Sequence, residues 1–176
     1  MEEDQYDKFA KKMEEAYPEM FSEPYGGFAV GKGWYHIIES ICFQIQSHHE
    51  HMVSRVERNK KLNALIDAYH AGDKAGLEEY CKWQSLEDVL EAGHQDVTPP
   101  TQVRVRQIKE KFGGLRFYYD GGDDYVSGVV SMAESWAGKS CETCGSLGTR
   151  RDGGWIRTLC DTHEAAHQEE VKKRGY

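Results

Sequence analysis

The chain has 176 residues, which fits one domain, or one domain with a small metal-stapled appendage, since single cores usually occupy about 100–200 residues. An apolar content of 39% with 11% aromatic residues can build a core, while 30% charged residues and a net charge of −8 leave a strongly polar exterior. This balance argues against two full-sized domains, against a membrane protein, whose spans need roughly 18–20 consecutive apolar residues, and against a secretory leader, because Met1-Glu2-Glu3-Asp4 is acidic.

A cytoplasmic protein is therefore expected. The five cysteines agree: the number is odd, and three sit at metal-ligand spacing, which in a reducing compartment argues for zinc over disulfides.

Charge is unevenly spread. Residues 1–24 hold eight carboxylates against Lys8, Lys11 and Lys12, whereas residues 101–119 hold Arg104, Arg106, Lys109, Lys111 and Arg116 against Glu110 alone. A basic strip thus lies inside an acidic protein, and local fields decide partners more than the total does.

In chain order, residues 4–16 are good helix formers and predict a short charged helix that ends before Pro18. Segment 22–33 is glycine-rich and expected as a loop. It lacks the Lys-Ser/Thr ending and the preceding strand of a phosphate loop. From Trp34, the residues Ile37, Ile38, Ile41, Cys42, Ile45, Met52 and Val56 recur at three- and four-residue spacing, the mark of a long amphipathic helix. The pattern resumes at Leu62, Leu65, Ile66 and Tyr69 and stops at Gly72. A bend near Asn59 is expected to make two helices of it. A further helix is expected over 73–83, then a linker from Gly93 to Pro100, whose Pro99-Pro100 pair forces extended backbone.

After the prolines the period changes from 3.6 to 2. Val103 and Val105 alternate with Arg104 and Arg106, and Leu115, Phe117 and Tyr119 alternate with Arg116 and Tyr118. These are two strands of a hairpin, with Gly113-Gly114 supplying the turn. Asp123 or Asp124 then caps a helix with apolar positions Val126, Val129, Val130, Ala133 and Trp136. The fold class is α+β: a helical part over 1–98, then a β-hairpin, a helix and a small zinc ribbon over 99–176, packed as one compact unit with the first.

The chemistry concentrates at Cys141-Glu-Thr-Cys144 and Cys160-Asp-Thr-His163, separated by 15 residues in the paired-knuckle arrangement of zinc ribbons. Two residues between ligands let one tight turn aim both at the same ion, and Gly145 relieves the backbone after the second cysteine. Gly148, Gly153 and Gly154 suit loops, and Trp155 to Leu159 reads as a short strand delivering Cys160. A Cys3His set would hold one structural Zn²⁺ with no open position for a substrate. His167 could replace His163, but the Cys160–His163 spacing mirrors the first knuckle. Cys42 falls on an apolar stripe and reads as core, and Cys81 has no visible partner.

Two other constellations compete with ordinary structural readings. His48, His49 and His51 surround Glu50 on a helix, where neighbouring residues diverge; partly buried or interface histidines fit better than a second metal site. Arg104, Arg106, Lys109, Lys111, Arg116 and Tyr118 could present cations and an aromatic ring to phosphates and bases. The alternative is a solvated face whose arginines pair with the acidic N-terminal half. Arg150, Arg151 and Arg157 add cations beside the knuckles.

Gly33-Trp34 before the Ile37-Ile38 helix, Gln107-Ile-Lys-Glu-Lys-Phe-Gly-Gly-Leu-Arg-Phe-Tyr118, Cys141-Glu-Thr-Cys-Gly145 and Thr158-Leu-Cys-Asp-Thr-His163 together resemble an uncharacterised family of small bacterial and bacteriophage proteins. The likeness runs from about Tyr17 to His163. It implies a phage or prophage accessory context and carries over no catalytic residue.

Three functions follow as expectations. The first is a non-enzymatic interaction protein with a host or phage protein as partner. The second is a nucleic-acid binder using the hairpin and ribbon, which the acidic total disfavours. The third is a zinc-stapled nuclease, for which the Leu-Cys-x-x-His ending speaks; the lack of any histidine base in 145–159 speaks against it.

Overall fold

The computed structural model describes residues 5–152 and 155–174, so the expectations for Met1–Asp4 and for Gly153 and Gly154 fall outside the described residues. The chain forms two compact units, Met1–Gln46 with Thr101–Tyr176, and Ser47–Pro100. No helix among the described residues is long and apolar enough to cross a membrane.

In the larger unit, helix α1 spans Gln5–Ala16 and a short strand β1 spans Phe28–Ala29 inside the segment expected as loop. A 3-10 turn over Lys32–Trp34 leads directly into helix α2, Tyr35–His70, whose second half belongs to the other unit. The expected bend near Asn59 is absent: α2 is one continuous helix. Residues 47–61 contain neither proline nor glycine, so nothing there interrupts the backbone hydrogen bonds.

The smaller unit completes α2 with helix α3, Ala75–Tyr80, a 3-10 turn over Cys81–Trp83, and helix α4, Leu86–Ala92. Its core is Ile66, Leu77 and Cys81, flanked by Leu62, Leu65 and Leu90. Helix α4 has a legible start that the pattern reading passes over: Ser85 Oγ accepts from the Asp88 N–H at 3.1 Å, and Glu87 and Asp88 sit in the first turn, where the helix dipole favours acids.

The expected hairpin is β2, Thr101–Lys111, with β3, Gly114–Gly122. Lys111 faces Gly114 across the register, so the turn is Phe112-Gly113, one residue earlier than expected. Both turn residues have positive φ, 54° and 74°, the pattern of a type I′ turn whose twist matches that of the strands. A register shift lies between Val105 and Gln107, a bulge that reverses the in–out alternation. Val103 and Val105 are buried before it, and Ile108 after it. Strand β1 pairs parallel with β2, giving the order β1-β2-β3.

Helix α5, Asp124–Ala137, packs along β3. Asp123 is its cap, accepting from the Val126 N–H at 3.1 Å. Its buried face is Val126, Val130, Ala133 and Ala137. Trp136, expected on that face, is instead exposed. Strands β4, Thr149–Arg151, and β5, Arg157–Leu159, form a separate antiparallel ribbon, followed by helix α6, Asp161–Lys173. The core of this unit gathers Phe9 and Met13 of α1, Ile38, Ile41 and Ile45 of α2, the inner sheet face and α5.

Candidate metal centre

Two local structures aim the four expected ligands at one point. Past the end of α5, Cys141 N–H bonds to Ser146 O at 2.7 Å and Gly145 N–H returns to Cys141 O at 2.8 Å, closing the Cys141–Cys144 knuckle; Gly145 has φ of +78°, which glycine adopts without strain. Strand β5 delivers Cys160 to the N-cap of α6. His163, three residues on, then shares its face of the first turn.

The ligand atoms of Cys141, Cys144, Cys160 and His163 all lie within 4.8 Å of one another. His163 Nδ1 is 3.6 Å from Cys141 Sγ and 3.1 Å from Cys160 Sγ, and Cys144 Sγ is 3.9 Å from Cys160 Sγ. These residues are close enough to hold one metal ion, and among the described residues they are the only such group of three or more. His167 is not part of it and lines a surface groove instead.

The surroundings favour thiolates at two of the three sulfurs. Burial works against the Cys141 thiolate, but backbone N–H groups of Cys160, Cys144 and Thr143 outweigh it and hold the thiol below its ordinary value. Hydrogen bonds from the Ser146 hydroxyl and N–H bring Cys144 down to about 7. At Cys160 the His163 N–H favours the thiolate, yet desolvation and the two neighbouring sulfurs prevail and push the thiol up. Three sulfurs crowded this way repel as anions, and a bound cation removes the conflict.

The knuckle is pressed against the start of α2. A Cβ on Gly33 would lie 2.2 Å from Cys141 O and 2.6 Å from Gly145 N, and one on Gly31 would lie 2.1 Å from Glu142 O. Gly33 N–H bonds to Glu142 O at 2.9 Å, and the buried Trp34 donates from Nε1 to Ser140 O at 2.8 Å. A second seam joins the ribbon to the hairpin turn, where buried Thr158 donates from Oγ1 to Gly113 O at 2.6 Å. Glu142, only 6% exposed, accepts from Arg157. The sequence reading assigned no role to Gly31, Thr158 or Glu142. The closely spaced glycines before Trp34 were the available signal for a close backbone approach.

The basic hairpin is largely engaged internally. Arg104 reaches Glu19 O and the Ser22 hydroxyl, Arg106 bridges Glu23 and Asp120 at 2.6 Å each, and Arg116 lies 3.6 Å from Glu134. Lys109 lies over the Tyr118 ring at 5.2 Å and Lys111 over Phe112 at 5.5 Å. In the smaller unit, His48 and His49 are half-buried and His51 is exposed. The three form no metal-binding group among the described residues. Cys42 is buried on α2 and Cys81 is buried in the small core.

No family model, no curated protein and no solved structure matches this chain.

Proposed function

We propose that the chain is a zinc-stabilised, non-enzymatic accessory protein of phage or prophage origin that acts by binding a host or phage protein through the outer face of α5. The observation that carries this reading is a second apolar stripe on that helix. Tyr125, Val129, Met132 and Trp136 recur at four-, three- and four-residue spacing; Met132 is 70% and Trp136 63% exposed. Helices that dock into a partner's groove present their anchors at this spacing, and exposed tryptophan and methionine are typical of such anchors.

Zinc is the metal that the donor set favours, since three thiolates and an imidazole suit it better than oxygen-seeking cations. With Zn–S near 2.3 Å and Zn–N near 2.0–2.1 Å, a tetrahedral site has S···S edges of about 3.8 Å and S···N edges of about 3.6 Å. The separations of 3.9 and 3.6 Å fit this, while 3.1 Å asks for a small relaxation of His163. Four protein ligands leave no open position for a substrate, which supports a structural role. The phage or prophage context rests on the resemblance of the hairpin and knuckle strings.

The test combines metal analysis with capture from infected cells under nuclease treatment, comparing the wild type with Met132→Asp and Trp136→Ala. About one zinc per chain and a protein partner captured by the wild type alone are expected, with losses of about 30-fold or more per anchor. A partner retained equally by both variants would refute the α5 face. Iron or a metal-free chain would refute the zinc.

A further inference from the structure

Between the β4–β5 ribbon and α6 runs a groove of about 600 Å³, on a different element from the outer face of α5. We infer that this groove is a nucleotide-binding site, taking a phosphate and a stacked base either as a free nucleotide or as one unit of a single strand. Trp155 lines it and is 72% exposed, so its indole offers an open face for a base. In its lining Arg151, Arg157, Lys172 and Arg174 outnumber Asp152 and Glu164, within a chain of net charge −8.

In the hairpin, Lys109 and Lys111 lie over the Tyr118 and Phe112 rings. Arg104, Arg106 and Arg116 each have a carboxylate at hand. In the groove Arg151 is committed to Asp161 and Leu159 O, and Arg157 uses its Nε on Glu142. Arg157 thereby keeps a guanidinium fork held in place by a buried carboxylate, and Lys172 and Arg174 form no ion pair among the described residues. A preorganised fork beside two unpaired cations is the chemistry that recognises phosphate. Gln168, which also lines the groove, donates to Glu164 at 2.7 Å. An aromatic face and a cationic track together are what single-strand sites combine.

The test uses the zinc-loaded full chain. Indole N–H resonances are followed by NMR during titration with mononucleotides, short single-stranded oligonucleotides, inorganic phosphate and polyglutamate, with Trp155 assigned from Trp155→Phe. Oligonucleotides or mononucleotides should shift Trp155, and Trp155→Ala should weaken binding about 5- to 150-fold, the usual cost of one lost base stack. Lys172→Ala with Arg174→Ala should lower the slope of log affinity against log salt by about 0.7 for each lost phosphate contact. Trp83→Ala, in the smaller unit, should change nothing. Saturation by mononucleotides identifies a free nucleotide as the source, and binding by oligonucleotides alone identifies a strand. Absence of binding at low salt would overturn the inference. So would affinity unchanged in Trp155→Ala, or equal binding of polyglutamate, which would mark a general polyanion or acidic-peptide surface.

Discussion

Gly33→Ala tests the seam between the metal knuckle and α2. The added Cβ would lie 2.2 Å from Cys141 O, and relief requires that oxygen to withdraw by about 0.8 Å to reach 3.0 Å. The obstacles are backbone atoms of Cys141, Cys144 and Gly145, themselves held by the knuckle's hydrogen bonds, so no side chain can swing aside. Overpacking usually costs about 1–3 kcal/mol, and an immovable neighbour places this case at the upper end. Separation also strains the Gly33 N–H bond to Glu142 O, worth about 1 kcal/mol. A total of about 4 kcal/mol corresponds to a fall in melting temperature of about 8–16 °C, or to roughly 700-fold in metal affinity if the cost appears there. Gly128→Ala is the control. Nothing lies within 4 Å of its Cβ, and inside α5 an alanine should stabilise by about 0.5–1 kcal/mol. Thermal melts and metal competition against a chelating dye measure both. A Gly33→Ala protein that melts within about 1 °C of wild type with unchanged metal competition would refute the account of the seam.

Thr158→Val removes the donor from Gly113 O in a buried setting and should cost about 1–3 kcal/mol by denaturant titration; a neutral result would mean that another donor replaces it. Cys144→Ser should release most of the metal by elemental analysis, and full retention would remove Cys144 from the ligand set. In metal-free protein Cys144 should react with thiol reagents at a midpoint near pH 7, as the lowered value of about 7 against an ordinary 9 requires. Its stabilising contribution is complete above pH 9 and fades as pH falls through 7, and protons then compete with metal. Cys42, whose thiol burial pushes well up, should react only on global unfolding.

The four metal ligands were legible because their geometry is local: two knuckles, each specified within four residues. The hairpin and the cap of α5 were legible for the same reason. The bulge before Gln107 was not, since it answers to a distant segment whose Gly26 N–H bonds to Arg106 O at 2.7 Å. Gly31 and Gly33 looked like loop punctuation because the backbone that excludes their Cβ atoms lies more than a hundred positions later. Trp136 was assigned to the wrong face because Val126, Val129, Val130 and Ala133 define a broad apolar arc, and periodicity alone does not say where burial ends along it. Helix α6 gave no apolar signal at all, and it buries no residue. Its only marks are Asp161 and Glu164 at the start and Lys172 and Lys173 at the end, which suit the helix dipole.

That last point separates the two proposed surfaces by their dependence on metal. Helix α5 is held by Val126, Val130, Ala133 and Ala137 in the main core, a footing that does not require the ion. Helix α6 has no fully buried residue, so its placement rests on Cys160 at its N-cap, His163 in its first turn and the Arg151–Asp161 ion pair to the ribbon. A 13-residue helix is near the length at which an isolated helix is marginal in water. Chelation should therefore detach α6 and open the groove while leaving α5 in place. Hydrogen exchange followed by mass spectrometry should then show protection lost over 139–173 and retained over 124–137. Nucleotide binding at Trp155 should disappear with the metal, while capture of a protein partner through Met132 and Trp136 should survive. Equal loss of protection in both helices would mean that the ion holds the whole unit together. Undiminished protection in α6 would mean that the ligands do not anchor it.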